Sequence, residues 1–322
     1  MAESSGKVII GVDLGGTNIQ VGVVDGAGKV LARSKAKTRA RGTPESVLDR
    51  IVGCCDTAMA HAGLTRDALL CVGIGAPGAV HAEKGLVIEA ANIGWRNYDL
   101  ARELASRVGV PVAVDNDVNA AVVGEHRHGA SCGKRDVLGV WVGTGVGAGL
   151  ILGGRLHEGA RHTAGEIGHV ILFPGAPTAW TKLEWNCSRT AIANQIAHLI
   201  RCGHRSAVFD MVEGDLSRIR SKVIGEAYQA DDGVTRGVVD RSAELLGIAI
   251  ANVVTLLSVE QVVLGGGLSE SLGEPYRKRV AKVVASTVFP SALADVEVVL
   301  TQLNADAGVI GAAVLARERV GT

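Results

Sequence analysis

The chain is poor in aromatic residues and carries no net charge. Phe, Trp and Tyr make up 3% of the 322 residues, whereas hydrophobic residues make up 47%. Valine, leucine, isoleucine and alanine must therefore fill the core, which is typical of packed layers of strands and helices. Lys plus Arg equals Asp plus Glu at 33 each, so no net field attracts nucleic acid or an anionic membrane. We expect an α/β protein of about two domains with neither partner.

The sequence also lacks a long apolar run. The longest is Leu245–Val259, and three polar residues interrupt it: Asn252, Thr255 and Ser258. Because about 20 apolar residues are needed to cross a bilayer, this run predicts a buried helix. Met1–Lys7 is polar and has no apolar segment of the kind found in signal peptides. These features predict a cytoplasmic protein.

Cysteine pairs with the spacing of metal or redox sites are absent. No Cys-x-x-Cys occurs among the six cysteines, so the sequence indicates neither a disulfide framework nor a zinc knuckle. We interpret them as scattered core thiols. They are Cys54, Cys55, Cys71, Cys132, Cys187 and Cys202.

A short apolar strand runs into an acidic residue and a glycine pair at Ile10–Thr17. A carboxylate at a strand end can hold Mg²⁺, and glycines let backbone N–H groups approach phosphate oxygens. The Gly-Lys-Ser/Thr ending of a Walker A loop is missing, and Asn18–Val24 alternates like the return strand of a hairpin. The pattern predicts a nucleotide-phosphate site, with an ordinary glycine hairpin as the alternative.

A second glycine-threonine turn lies in Val137–Leu152, again between two strands. Gly143, Gly145 and Ala148 match the spacing of a dinucleotide fingerprint, but that motif requires a helix after the turn, and here a second strand follows. We therefore reject a Rossmann site. Two hairpins of the same kind suggest two related halves that clamp a phosphate chain between them.

The order of predicted elements also repeats. A meander of three strands is followed by alternating helix and strand, and the pattern begins again near Asp136. Thr43 is the predicted N-cap of the first helix. The predicted strands are Val8–Val12, Ile19–Val24, Val30–Ser34, Leu69–Ile74, Val110–Val114, Val137–Val142, Gly147–Leu152 and Gln261–Leu264, and the helices are Pro44–Ala62, Leu100–Val108, one from about Ala120, an inserted helical region Leu183–Val259 and Ala307–Arg319.

No linker rich in proline or serine separates the two halves. We place the hinge at the polar segment Asp115–Asn119. Residues 1–117 then form a small N-terminal α/β domain, and residues 118–306 form a larger C-terminal α/β domain. The last helix, 307–319, is expected to pack back on the first domain.

Polar residues are crowded at two further places. Asp115–Asn119 follows an apolar strand directly and precedes a helix, where open α/β folds place their ligands. A simple capped helix start is the alternative, although one cap needs one such residue and here there are four. Gly165–His169, with Glu184 further along, adds two carboxylates and an imidazole that could grip several hydroxyl groups.

Taken together, these motifs resemble the ROK sugar kinases of the actin-like ATPase and hexokinase fold, also called ribonuclease H-like. The resemblance runs from about residue 8 to 318 with the motifs in the family's order. It implies two domains built from duplicated βββαβα halves, with a helical insertion in the second. The segments that carry it are Asp13–Asn18, Gly73–Gly78, Asn116–Ala121, Gly143–Gly147, Gly165–His169, Leu264–Gly267 and Asp306–Ala313.

The resemblance implies a role for each matching residue. Asp117 corresponds to the catalytic base, and Mg²⁺ is expected near Asp13. The implied sugar ligands are Asn92, Asn116, Glu166, His169 and Glu184. The implied ATP and Mg²⁺ elements are Asp13, Gly15, Gly16, Thr17, Asn18, Thr144, Gly145, Gly265, Gly266 and Gly267.

The implied reaction is ATP-dependent phosphorylation of a hexose at its 6-hydroxyl, with glucose as the expected substrate. The alternatives are kinases for N-acetylmannosamine, N-acetylglucosamine, fructose or another sugar, and a non-catalytic sugar-sensing regulator. Regulators of the family carry an N-terminal helix-turn-helix, and about seven residues precede the first strand here, which favours the enzyme. The resemblance also implies a homodimer or higher homo-oligomer.

The chain departs from the family at one place. Its members commonly carry a cysteine-rich zinc motif between the histidine and the last sugar-binding glutamate, whereas Phe173–Glu184 contains no cysteine. Cys187 lies beyond the glutamate and cannot complete a four-ligand site by itself. We therefore expect no structural zinc there. Pro174, Pro177 and Trp180 are expected to stiffen the loop by packing, and the partner that fixes His169 is left open.

Overall fold

The apolar strands at the start of the chain form the centre of a five-stranded sheet. In the computed structural model, which describes residues 7–39, 42–175 and 181–321, the central strand is antiparallel to its neighbour in the first hairpin and parallel to the strand on its other side. In chain order the strands are β1 (Val8–Leu14), β2 (Asn18–Val24), β3 (Val30–Lys37), β4 (Leu69–Ala76) and, after a separate small sheet, β8 (Val112–Asn116), arranged β3-β2-β1-β4-β8.

The second sheet repeats this arrangement, which confirms the predicted duplication. Its central strand is likewise antiparallel to the strand that follows it and parallel to a later one. The strands are β9 (Val137–Val142), β10 (Val146–Leu152), β11 (Arg155–Leu156), β12 (Gln261–Gly265) and β13 (Glu297–Leu300), arranged β11-β10-β9-β12-β13. The ends of β1, β8, β9 and β12 therefore carry the motifs noted in the sequence.

The helices follow the predicted pattern over most of the chain. Thr43 caps the first helix, because its side chain accepts a hydrogen bond from the Ser46 N–H. The run Leu245–Val259 falls largely within a 25-residue helix that has 12 buried residues, although Leu256 at its end is exposed. No described helix is long and apolar enough to cross a membrane. The helices are α1 (Pro44–His61), α2 (Leu100–Val108), α3 (Asp117–His128), α4 (Glu184–Cys187), α5 (Arg189–Arg201), α6 (Val208–Met211), α7 (Ser221–Gln229), α8 (Gly233–Leu257), α9 (Gly267–Thr287) and α10 (Ala307–Val320).

Several parts of the structure differ from the prediction. The strand β11 was not predicted, and β8 ends at Asn116 rather than at Val114. α3 begins at Asp117 rather than near Ala120, because the Asn116 side chain caps it. α9 and β13 were not predicted. A small antiparallel sheet also lies between β4 and α2, and its strands are β5 (Ala79–His81), β6 (Leu86–Ala90) and β7 (Trp95–Asp99).

Helices α3 and α10 pack against each other at unusually close range. A Cβ atom placed on Gly311 would lie 1.6 Å from the Ala120 carbonyl oxygen, and one on Gly124 would lie 2.3 Å from the Ala307 carbonyl oxygen. Both distances are far inside van der Waals contact, so only glycine permits this crossing. The pair therefore has one tightly defined geometry.

The two helices also connect the two sheets. α10 lies on the first sheet, where a Cβ on Gly73 of β4 would be 1.8 Å from the Ala312 carbonyl oxygen. α3 lies on the second sheet, where a Cβ on Gly139 of β9 would be 2.2 Å from a methyl of Val122. A shared apolar cluster includes residues of α3, α10 and the second sheet. The division into domains at residue 117 stays a prediction.

A buried carboxylate fixes the chain segment that leads into α10. Glu125 of α3 is 0% exposed. Its carboxylate accepts hydrogen bonds from the N–H groups of Ala130 (2.7 Å), Gln302 (3.1 Å) and Leu303 (2.8 Å), and from the Thr301 hydroxyl. Four donors from two separate segments thus depend on one side chain.

Replacing Glu125 with alanine should destabilise the protein by about 3 kcal/mol or more, because several buried donors lose their acceptor at once. Chemical denaturation of Glu125→Ala beside the wild type measures this. The matched control is Glu318→Ala, since Glu318 makes an exposed ion pair with Arg127 that contributes about 1 kcal/mol at most. Equal losses in both variants would contradict the role given to Glu125.

Candidate active site

Ten of the residues predicted to bind nucleotide, metal or sugar line one cavity of about 570 Å³. They come from both sheets and from the starts of α3 and α9, although they are spread over most of the chain. The cavity lies at the carboxyl ends of the central strands, where α/β folds place ligands. These lining residues are Asp13, Gly15, Gly16, Thr17, Asn18, Asn92, Asp117, Thr144, Gly266 and Gly267.

Two carboxyl groups in this cavity have raised pKa values. Burial raises the pKa of Asp117 to about 7, and the negative charge of Asp13 adds to the shift, while the Val118 N–H donated to Asp117 Oδ1 at 2.9 Å opposes it. Burial likewise raises the pKa of Asp13 to about 6, with the Gln20 amide at 3.4 Å opposing the shift. Asp117 can therefore gain and lose a proton near neutral pH, as a general base must.

Asn116 holds the start of α3 in place beside Asp117. Its Oδ1 accepts hydrogen bonds from the N–H groups of Val118 (2.9 Å) and Asn119 (3.1 Å), and its Nδ2 donates to the Gly78 carbonyl at 2.9 Å. Asn116 is therefore the cap of α3 whether or not it also contacts a ligand. The amide has two N–H groups, and the second can serve a sugar hydroxyl.

The second glycine-threonine turn is braced by the start of α4 and α5. Glu184 Oε2 accepts a hydrogen bond from the Val146 N–H at 2.9 Å, and a Cβ on Gly145 would lie only 2.3 Å from the same oxygen. The Arg189 guanidinium donates to the Thr144 hydroxyl at 3.0 Å. Gly145 is thus required for the close approach of Glu184, which lies against the turn rather than on the cavity wall.

His169 has two polar neighbours in the structure. Its Nδ1 lies 3.2 Å from Lys182 Nζ, and its Nε2 lies 3.8 Å from Glu166 Oε2. Because a lysine ammonium only donates, Nδ1 is the acceptor, and the ring proton belongs on Nε2, facing Glu166. This answers what fixes His169. Glu166 and His169 lie outside the residues that line the cavity, and both side chains are about half exposed.

Backbone pairing closes the loop where the family's cysteine motif would lie. Leu172 N–H donates to the Thr181 carbonyl at 2.8 Å, and Leu183 N–H donates to the Val170 carbonyl at 3.1 Å. Pro174 is exposed, so it does not pack as predicted, and the backbone bonds hold the ends of the loop. Pro177 and Trp180 lie outside the described residues.

The cavity also contains residues that sequence reasoning missed. Gln20 follows the first turn, and Glu270 lies in the first turn of α9. Gly308, at the start of α10, is so close to Asp13 that a Cβ there would lie 3.1 Å from the Asp13 Cγ. Gly265, in contrast, does not line the cavity and packs against the Trp141 ring. The additional lining residues are Gln20, Val118, Ala121, Trp141, Glu270, Asn304, Ala305 and Gly308.

Comparison with known proteins agrees with this geometry. The chain is 32% identical over 320 residues to a glucokinase of Halalkalibacterium halodurans, which covers 98% of this chain and 96% of the relative. It is 33% identical over 318 residues to a glucokinase of Thermotoga maritima, at 97% and 98% coverage. A crystal structure of a ROK family glucokinase from Streptomyces griseus, in complex with glucose and AMPPNP, superposes with a TM-score of 0.88.

The Streptomyces griseus structure shares 32% of its sequence with this chain, and the superposition covers 97% of this chain and 99% of that one. The family model for the ROK family matches residues 9–319. The resemblance drawn from the motifs is therefore confirmed over nearly the whole length. Together with the duplicated sheets and the shared cavity, this match shows that the chain belongs to the ROK family.

Proposed function

We propose that this protein is an ATP-dependent hexose kinase that phosphorylates glucose at its 6-hydroxyl. The observation that carries the proposal is the position of Asp117, with its pKa raised to about 7, in the same cavity as both glycine-threonine turns. The resemblance to two glucokinases and to a glucokinase structure with glucose and AMPPNP supports glucose and ATP as the substrates.

Asp117 is suited to remove the proton of the attacking hydroxyl. Phosphoryl transfer has a loose transition state, so the protein mainly aligns the sugar oxygen with the γ-phosphate and stabilises the spreading charge. A base with a pKa near the working pH combines a useful fraction of the charged form with enough basicity. Asp117 takes the sugar proton onto its carboxylate while the new O–P bond forms and the bond from the γ-phosphorus to the departing ADP oxygen breaks.

The phosphate chain is expected to lie between the two glycine turns. Gly16 of the first turn and Thr144 of the second both line the cavity. Gly266 and Gly267 lie at the start of α9, which is interrupted at Gly273, and the free N–H groups of its first turn favour an anion. These groups bind and orient ATP through the backbone, which needs glycine for close approach.

The residues around Asp13 fit a magnesium ion. Burial removes water from its carboxylate and raises its pKa to about 6, and among the described residues only the Gln20 amide, at 3.4 Å, approaches it as a hydrogen-bond donor. Carboxylate and amide oxygens are the ligands that Mg²⁺ prefers. A bound Mg²⁺ would supply positive charge against the negative charge of the phosphates. Asp13, with Gln20 beside it, would hold the ion or one of its water ligands.

The sugar is expected to bind beside Asp117, among Asn116, Glu166, His169 and Glu184, with Asn92 as a further contact. Asn116 and Glu184 are already held by backbone hydrogen bonds, so their positions are fixed before the sugar arrives. The Lys182 and Glu166 contacts orient the His169 ring. Such preorganised polar groups give specificity because an ill-fitting sugar leaves them unpaired.

Other family activities remain as alternatives to a glucose kinase. A kinase for N-acetylmannosamine, N-acetylglucosamine or fructose would use the same base and phosphate groups, whereas a sugar-sensing regulator would not release ADP. Release of ADP on mixing the protein with ATP, Mg²⁺ and each sugar in turn separates these cases. The use of polyphosphate is tested by measuring the sugar phosphate formed when polyphosphate replaces ATP, because that donor releases a shortened polyphosphate and no ADP. The cytoplasmic location and a homo-oligomeric state stay predictions.

Asp117→Asn should lower kcat by about 100-fold or more and leave the glucose KM within a few-fold, because the base is lost while size and most hydrogen bonds are kept. In the wild type, kcat/KM should fall as the pH drops below about 7, since protonated Asp117 cannot accept a proton. Steady-state kinetics from pH 5.5 to 8.5 test both points. Asp49→Asn, on the outer helix α1, is the control, and near-normal kcat in a folded Asp117→Asn would exclude the assignment.

Asp13→Asn should raise the Mg²⁺ concentration needed for half-maximal rate by about 10-fold or more, because a neutral amide binds a divalent cation more weakly than a carboxylate. Titrating Mg²⁺ at saturating ATP and glucose measures this. The same titration of Asp49→Asn provides the baseline. An unchanged Mg²⁺ requirement in Asp13→Asn would place the ion elsewhere.

A further inference from the structure

Two histidines and a glutamate meet at a place that the proposed kinase site does not use. His81 ends β5, Glu83 lies in the turn that follows, and His162 lies in the loop after β11. One nitrogen or oxygen from each of the three side chains lies within 4.8 Å of the others. Among the described residues, this is the one group of three or more His, Cys, Asp or Glu side chains with such spacing.

The two imidazole rings are arranged face to face and lack ordinary partners. Their centroids are 4.2 Å apart with planes inclined by 21°. The Nδ1 atoms of His81 and His162 are both buried, and neither makes a hydrogen bond within the described part of the chain. A buried imidazole nitrogen without a partner loses the hydrogen bonds that water would give it. A metal ion would supply the missing partner at His81 Nδ1.

A carboxylate already stands on the far side of His162. Glu158 Oε2 lies 3.4 Å from His162 Nδ1, whereas His162 Nε2 points towards Glu83 Oε2 at 4.0 Å. Carboxylates of this kind commonly orient metal-binding histidines through the nitrogen that does not touch the metal. The position of Glu158 therefore leaves Nε2 of His162 to bind an ion between His81 and Glu83.

The backbone at His162 supports the same interpretation. Its φ of +57° lies in the left-handed region, which costs a non-glycine residue about 1 kcal/mol or more and tends to occur at functional positions. Glu83 is 76% exposed, so its carboxylate is free to turn towards an ion. His81 and His162 are half-buried and hold their rings in place.

We propose that His81, Glu83 and His162 form a binding site for a divalent transition metal of the zinc class. Two imidazoles and one carboxylate are a donor set that zinc uses with a water molecule in the fourth position, whereas Mg²⁺ and Ca²⁺ prefer oxygen ligands alone. The cysteine-based expectation of no structural zinc concerns a different loop, near His169.

An ion here would tie together two segments that lead to the proposed sugar site. β5 begins directly after Gly78, whose carbonyl accepts a hydrogen bond from Asn116, and the loop of His162 continues to Glu166. Glu158 also accepts a hydrogen bond from Arg319 of α10 at 2.7 Å. A bound metal is therefore expected to raise the thermal stability of the whole protein.

Cobalt binding to metal-free protein tests the site directly and does not depend on kinase activity. Wild-type protein should bind one Co²⁺ with visible d–d absorption and without the near-ultraviolet band of thiolate ligation, and Zn²⁺ should displace it. Glu83→Gln, an exposed and structurally mild change, should weaken Co²⁺ binding by about 10-fold or more. The double variant His81→Gln/His162→Gln should abolish the absorption and the metal-dependent rise in Tm.

Two control variants remove metal-binding side chains elsewhere in the protein. His198 Nε2 lies 3.7 Å from Cys202 Sγ on the surface, so His198→Gln/Cys202→Ser removes a competing pair and should leave binding unchanged. His169→Gln should also leave it unchanged. Loss of Co²⁺ binding in either control would overturn the proposal, and so would equal affinity of the wild type and the double variant at His81 and His162. Neither outcome would bear on the proposed kinase activity, which is measured separately by ADP release.

Discussion

The close crossing of α3 and α10 is the constraint on which the rest of the site depends. Glycines at positions 124 and 311 let the two helices approach to a distance that any side chain would prevent. Each helix also packs against a different sheet, so the pair fixes how the two sheets face one another. α3 begins with Asp117, and α10 begins beside Asp13. The same packing that joins the sheets therefore brings the two carboxyl groups into one cavity.

Bringing these carboxyl groups out of water has a thermodynamic consequence. An aspartate normally has a pKa of about 3.9 in the unfolded chain, whereas burial raises that of Asp117 to about 7. Between these values the folded state binds more protons than the unfolded state, so this group lowers stability progressively as the pH rises from about 4 to about 7. Burial of Asp117 therefore lowers the folding stability of the protein at neutral pH, and it also gives Asp117 the raised pKa that a base working near neutral pH needs.

Local patterns in the sequence were enough to predict the site's strand ends and turns, but not its remote partners. Asp13 could be identified because it follows an apolar strand directly. Asp117 could be identified because it lies in a polar segment between an apolar strand and a helix and matches the base of the family motif. The helix α10 could be located from a continuous helical pattern. The strands β5–β7 are short and have mixed burial patterns, so no period marked them. The sequence pattern did not distinguish Glu125, Lys182 or Gly308 from ordinary helix or loop residues. The contacts that make them important are with residues far away in the chain.

The acidity of Asp117 can be measured directly by NMR. Protein labelled with ¹³C at aspartate Cγ would be titrated from pH 4 to 9, with Asp117→Asn used to assign the resonance and sugar and nucleotide left out. The Asp117 carboxyl should titrate near pH 7, above ordinary aspartates, because α3 holds it desolvated beside Asp13. A midpoint near pH 4 would contradict this role, since Asp117 would then be an ordinary solvated carboxylate that is weakly basic at neutral pH.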